Sequence, residues 1–266
     1  MLSETQSKTT TAVPPISFLD SLVFQMKNGF GNNLLRVLVL MPNSRGGFYL
    51  KESFKKLAKG DSVVLPKTLS LDKWVSTNWP LQIVGEQEAV FYLFQSFRRF
   101  KNPEENIEEF YPLGQNLYAD FEEIIRNEVS IPHVYTALER WESTGLGFAD
   151  FLDSDQKKLL ANFWANFETL NGHLTRRMVE LWKAIPAVFA DYERSLNNDG
   201  KCTAAMAYAG FSKELPPNSY EDFDSVYFVG FGELTATERR LIRSLKAKIQ
   251  VNLIWDFNES YLQSPQ

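Results

Sequence analysis

The stretch RVLVLMPNSRGGFYLKESF, residues 36–54, contains residue types that could bind phosphate. Its pattern predicts a buried strand, a glycine-bearing turn and a helix, which is the layout of a phosphate-binding loop. Such a loop has the form G-x-x-x-x-G-K-[ST]: backbone N–H groups wrap the phosphates, the lysine reaches the β and γ oxygens, and the hydroxyl holds magnesium. On this chain the frame begins at Pro42, and its second glycine, Gly47, is predicted at the tight turn.

Two positions of this frame lack the groups that ATP chemistry needs. Phe48 stands at the lysine position and brings no cation, and the phenol of Tyr49 reaches too far out to replace the serine hydroxyl. We therefore predict a degenerate loop that does not support ATP hydrolysis; the alternative is that both rings simply pack the first turn of a helix. The predicted degenerate loop comprises Pro42, Asn43, Ser44, Arg45, Gly46, Gly47, Phe48 and Tyr49.

A second strand, in SVYFVGFGELTATE, stands where a working enzyme of this kind places acids that hold magnesium and activate water. It ends without a carboxylate, and the first acid, Glu233, comes only in the following turn. Thr235 and Glu238 have the spacing of a capping box, so we interpret Glu238 as a helix cap rather than a base. We predict no catalytic residue, and a degenerate strand end at Val229, Gly230 and Phe231.

Clusters of basic residues are the candidates for contact with a DNA backbone. The alternative for each cluster, including Arg239-Arg240 with Arg243, is solvated charge near a helix end. We interpret the paired glutamates as solvated helix faces or turns. The candidate DNA contacts are Arg98, Arg99, Lys101, Arg176 and Arg177.

Composition excludes several classes of protein and site. One cysteine and two distant histidines rule out an internal disulfide and make a zinc site improbable, so we expect no metal and no cofactor. The net charge of −5 excludes a basic field over the whole chain. No apolar run is long enough for a membrane span, and the polar N-terminus is not a secretory signal. These features indicate a cytoplasmic protein without membrane contact.

Periodicity divides the chain into three parts. Residues 1–14 are predicted to be a disordered tail, residues 15–84 and 216–266 an α/β domain with one parallel sheet, and residues 85–215 an inserted helical domain. In the first part we predict helices ending at Gly31 and Gly60, a strand in SVVLP, and a helix capped by Ser70. In the insertion we expect no strand, and a kink or break at Pro186.

The order of these segments resembles the N-terminal part of AddB-like proteins of the PD-(D/E)XK nuclease family, as found in Bacteroidetes. These are the nuclease-bearing B subunits of bacterial helicase–nuclease complexes. The resemblance covers about residues 16–262 and lies in the order, the spacing and the residue types of the segments. The segments that carry it are LVLMPNSRGG, LPKTLSLDKWV, FYPLGQNLYADFEEI, FLDSDQKKLLANFWANF, VYFVGFGELTATERRLIRSL and VNLIWDFNESYL.

The resemblance implies an inactivated superfamily I helicase. Its RecA-like P-loop subdomain 1A would carry a helical subdomain 1B, and Asp256 would remain from a Gly-Asp-x-x-Gln segment. It further implies a role in DNA repair and recombination, a partner subunit of the AddA type, and a nuclease beyond these residues. Three interpretations stay open: a non-catalytic module that helps to hold DNA, an atypical ATP-binding helicase or ATPase, and a protein-interaction scaffold.

Overall fold

The structure, a computed structural model, describes residues 17–58, 60–144 and 178–255. The strands are β1 Val37–Met41, β2 Lys67–Ser70, β3 Gln82–Ile83, β4 Lys201–Cys202, β5 Ser225–Val229 and β6 Gln250–Ile254. The helices are α1 Phe18–Phe30, α2 Ser44–Ala58, α3 Leu71–Asn78, α4 Glu86–Phe100, α5 Ile107–Arg126, α6 Ile131–Thr144, α7 over 178–198, α8 Ala204–Lys213 and α9 Ala236–Lys246, with a short 3-10 helix at Pro217–Ser219.

The chain forms two compact units. The sheet unit contains the residues up to Asp72, then Asp222–Gly232, and those from Ile249 onward. The helical unit contains Lys73–Glu221 and Glu233–Lys248. These divisions differ from the predicted boundaries, because 73–84 and α9 belong to the helical unit, where α9 packs on α5 and α8. Leu241, Ile242 and Leu245 of α9 are buried.

Four described strands form the sheet of the sheet unit, all parallel and in the order β2-β1-β5-β6. Every residue of β1 and β5 is buried, as expected for central strands with continuous apolar runs. The prediction of one parallel α/β sheet built from both ends of the chain is therefore confirmed. Val39 lies opposite Tyr227, which lies opposite Asn252, and this fixes the register across the sheet.

Helices α1 and α2 supply the apolar residues that cover this sheet. Leu22, Val23 and Met26 of α1 and Leu50 and Phe54 of α2 belong to one buried cluster with side chains of β1 and β5. The hydroxyl of Ser17 caps α1 by accepting from the Asp20 N–H at 3.1 Å, and α1 ends at Gly31 with φ of 66°, as predicted.

The prediction of a strand in SVVLP is wrong. Only Val64 of this segment makes an isolated bridge, with Asn33, and its side chain is exposed. The strand begins one residue after Pro66, which has no N–H to donate to the ladder with β1. Helix α3 then starts directly after Ser70, at the predicted position.

In the helical unit, aromatic side chains from α4, α5 and α7 share a core. Phe97 and Phe110 lie 4.8 Å apart between ring centroids, and Phe121 lies 4.9 Å from Phe189. Helix α4 approaches α5 closely at Gly114, where a Cβ would come within 2.8 Å of Val90 Cγ1. This close approach explains a glycine inside a helix.

The structure differs from two expectations for the helical unit. The two-residue strand β4 lies within 85–215, where no strand was expected, and it pairs in parallel with β3. Helix α7 continues through Pro186, so the predicted break is wrong, whereas the alternative of a kink stays a prediction. Ile185 and Val188, on either side of the proline, are fully buried, and this packing offsets the hydrogen bond that proline cannot make.

Within the described residues, no helix is both long and apolar enough to cross a membrane. The predicted tail, residues 1–14, lies outside the described residues, as does Asp256.

Candidate functional site

The sheet unit has a topological switch point between β1 and β5. The chain adds β2 on one side of β1, whereas β5 and β6 add on the other side. Ligands of open parallel sheets bind outside the carboxyl ends of the strands at such a point. A cavity of about 800 Å³ lies here, lined by Met41, Pro42 and Gly46 on one side and Val229 and Gly230 on another. The fold thus brings the two predicted degenerate motifs together.

The connection between β1 and α2 is only two residues long, Pro42 and Asn43. The Gly46 N–H donates to Asn43 Oδ1 at 3.3 Å, so the asparagine side chain caps the helix. The predicted loop residues from Ser44 to Tyr49 therefore lie in the first turns of α2. A phosphate loop works by presenting free N–H groups. Here the connection is short, and the N–H group of Gly46 already donates to Asn43.

Gly46 and Gly47 serve a different purpose from the tight turn that the sequence predicted. Both are helical, and neither is among the described glycines with positive φ. A Cβ on Gly46 would lie 2.7 Å from Met41 Sδ, and one on Gly47 would lie 3.0 Å from Thr68 Cγ2. The glycines let the start of α2 pass close to Met41, at the carboxyl end of β1, and to Thr68 of β2.

Phe48 and Tyr49 project outward rather than pack into the first turn. They are 62% and 61% exposed, and their rings meet edge to face with centroids 5.8 Å apart. Tyr49 also lines the cavity. The alternative in which both rings are packing residues therefore fails, and two large apolar surfaces remain in contact with solvent.

An ion pair with a buried carboxylate occupies one wall of the cavity. Lys56 Nζ of α2 lies 2.5 Å from Oδ2 of Asp20, which is buried in the first turn of α1. The hydrogen bond from Lys56, with others from Ser53 and Ser17, lowers the pKa of the Asp20 carboxyl despite its burial. A carboxylate held in this way is a fixed negative charge with low basicity, so it is suited to orientation and not to proton abstraction.

Sequence reasoning missed the Asp20–Lys56 pair. Ser17 followed by Asp20 has the pattern of an ordinary helix start, with an acid favoured by the helix dipole. The two partners are 36 positions apart, on different helices. The sequence offered no signal that joined them.

The end of β5 contains only apolar or glycine positions, as predicted. Val229 and Phe231 are buried, and the Phe231 ring lies 5.7 Å from Phe228. Gly230, with φ of 73°, donates its N–H to Ile254 O at 3.0 Å and so extends the pairing with β6. Glu233 belongs to the helical unit.

Glu238 has the capping role that was predicted for it. Its Oε2 accepts from the Thr235 N–H at 2.8 Å, and the Thr235 hydroxyl accepts from the Glu238 N–H at 3.4 Å. The two residues close the capping box of α9. The carboxylate is thereby engaged in holding a helix end.

Three of the predicted DNA contacts have partners within the helical unit. Arg98 donates to Pro103 O at 2.8 Å, and Arg99 Nη1 lies 3.3 Å from Asp191 Oδ2. Lys101 Nζ lies 3.6 Å from a carboxylate oxygen of Glu180. These contacts agree with the alternative of charges at a helix end, and DNA contact by these residues stays a prediction.

Arg176 and Arg177 lie outside the described residues. Over the described part of the chain, no group of three or more His, Cys, Asp or Glu side chains could hold a metal ion. The cavity at the switch point has three features: the ion pair of Asp20 with Lys56, the start of α2 capped by Asn43, and the exposed ring of Tyr49.

No family model matches this chain, and no curated protein matches it.

Proposed function

We propose that this chain is a non-catalytic, helicase-like module of a bacterial helicase–nuclease that processes DNA double-strand breaks. In this proposal it is related to the N-terminal part of AddB-like proteins, and it contributes to DNA binding or to subunit assembly. A subunit of the AddA type is the partner, and the nuclease lies in a further part of the protein. The cytoplasm is the expected location.

One observation carries this proposal. At the switch point, where a motor would hold phosphate, α2 begins after two residues and its start is capped by Asn43. Phe48 occupies the position of the missing lysine and is exposed. A helix start whose N–H group already donates to the Asn43 side chain has fewer free N–H groups for a phosphate. The arrangement fits a fold kept for its shape without ATP chemistry.

The finer fold belongs to the same proposal. We assign the sheet unit to a RecA-like subdomain 1A and the helices between β2 and β5 to an inserted subdomain 1B. The parallel order β2-β1-β5-β6 and the long helical segment between its strands support this assignment.

Calorimetry and an ATPase assay test the loss of nucleotide chemistry. We expect no binding heat up to millimolar Mg–ATP and no turnover, with or without DNA. Lys51 and Lys56 are the two lysines to replace. Lys51 is the lysine of α2 closest in sequence to Phe48, which stands at the lysine position of the motif, and Lys56 lines the cavity. ATP hydrolysis that is lost in Lys51→Ala or Lys56→Ala would overturn the proposal in favour of an atypical ATPase.

The scaffold alternative is separated by a DNA titration. A module that holds DNA binds labelled single-stranded DNA more weakly as salt rises, because binding releases counterions. A pure protein-interaction scaffold shows no DNA binding at either low or moderate salt. The exposed aromatic pair is compatible with either role, so this titration decides between them.

A further inference from the structure

The outward face of α2 combines aromatic rings with positive charge. We call it the α2 face, and its exposed charged and aromatic members are Arg45, Phe48, Tyr49, Lys51, Glu52, Lys55 and Lys56. Residues three or four apart on a helix are neighbours, so Arg45 lies one turn from both rings and Lys51 lies one turn from Phe48. Glu52 also lies one turn from both rings, so the face presents two rings among cations and one acid.

The charges of α2 are mostly positive and only partly neutralised. The helix carries four cations and one acid, Glu52, which pairs with Lys55 at 2.6 Å. Lys56 pairs with Asp20. The side chains of Arg45 and Lys51 form no hydrogen bond or ion pair with any other residue that the structure describes. They are therefore available for an anion beside the rings.

We infer that the α2 face binds single-stranded nucleic acid, with bases stacked on Phe48 and Tyr49 and phosphates held by Arg45 and Lys51. This deepens the proposed function and rests on it. Exposed aromatic rings can stack on the faces of unpaired bases, and the paired bases of a duplex do not offer those faces. Unpaired cations beside the rings favour a polyanion, so the chemistry fits a nucleic-acid strand better than a neutral apolar peptide.

The experiment measures fluorescence anisotropy of labelled oligothymidylate and oligouridylate of about 20 nucleotides with the whole chain. The main variant is Phe48→Ala with Tyr49→Ala; both side chains are mostly exposed, so their removal leaves the core intact. The matched control is Phe24→Ala, another exposed ring of the sheet unit, on α1. Thermal unfolding of each variant shows that the fold is retained.

We expect the double variant to bind about ten-fold more weakly, with an unchanged salt slope, because stacking is lost and charge is kept. Lys51→Ala should reduce the slope of log K against log salt by about 0.7, because one phosphate contact is lost. Phe48→Tyr keeps a ring at this position and should bind as the unaltered chain does. Lys248→Ala, on an exposed lysine of the helical unit, should leave binding and slope unchanged.

Equal binding by the double variant and the unaltered chain overturns the inference but leaves the proposed function standing. Absence of all nucleic-acid binding at low salt overturns the inference and the DNA-holding role together. A third outcome is that an acidic polypeptide displaces the oligonucleotide. If the charge variants all lose affinity to the same extent and the double ring variant loses none, the inference is overturned and the face is assigned to a protein partner. The comparison of oligothymidylate with oligouridylate shows whether DNA or RNA is bound more tightly.

Discussion

Two groups of contacting aromatic side chains have opposite environments in this molecule. In the helical unit, Phe121 lies in ring contact with Tyr135, Phe189 and Tyr192 around one buried core. In the sheet unit, Phe48 and Tyr49 contact each other but remain mostly exposed. Ring-to-ring contact alone therefore does not make a core. What differs is whether neighbouring elements cover the rings, and that difference separates buried packing residues from rings that stay in contact with solvent.

The largest expected effect tests the buried group. Phe121→Ala should lower the free energy of unfolding by about 3–5 kcal/mol, because it removes a fully buried ring and leaves a cavity. Denaturant unfolding measures the change. A loss below about 1 kcal/mol would show that the helical core tolerates the gap and would weaken the comparison.

A smaller effect distinguishes the glycines of the two units. Gly114→Ala should cost about 1–3 kcal/mol, because its Cβ would come within 2.8 Å of the buried, β-branched Val90. Gly46→Ala meets the flexible side chain of Met41 and gains up to about 1 kcal/mol of helix propensity, so it should be close to neutral. Thermal unfolding of both variants checks the ranking, and a reversed order would contradict it.

The smallest effect on stability belongs to the exposed pair. Phe48→Ala and Tyr49→Ala should each change the free energy of unfolding by no more than about 0.5 kcal/mol, because little area is buried there. Chemical denaturation measures this, with Phe24→Ala as the control for an exposed ring. A loss of several kcal/mol would mean that the pair is a covered packing site, and the contrast with Phe121 would collapse.

The central strands and the start of α9 could be predicted because their signals are local. Continuous apolar runs marked β1 and β5, and Thr235 with Glu238 marked the capping box. The start of α2 could not be placed, because it depends on Asn43 as a cap and on the close approach of Gly46 and Gly47 to neighbouring strands. Glycine pairs are typical of turns, and only tertiary contact reveals the other use.

The sequence predicted one parallel sheet that contains both motif strands. That sheet places the ends of β1 and β5 beside one cavity, at the switch point. The exposure of Phe48 and Tyr49 could not be foreseen, because large aromatic side chains are usually at least partly buried. Asp20 and Lys56 could not be paired either, since only the packing of α1 on α2 joins them.

The division of the chain into interleaved segments has a consequence for synthesis on the ribosome. The helical unit needs α9, which follows β5, and the sheet unit needs β6, which follows α9. The Arg36–Asp224 ion pair, which joins positions 188 apart, shows how late the partner of β1 arrives. A nascent chain therefore carries β1 with one open edge until β5 has been synthesised, and exposed strand edges invite wrong pairing. A chain stopped before β5 could complete neither unit.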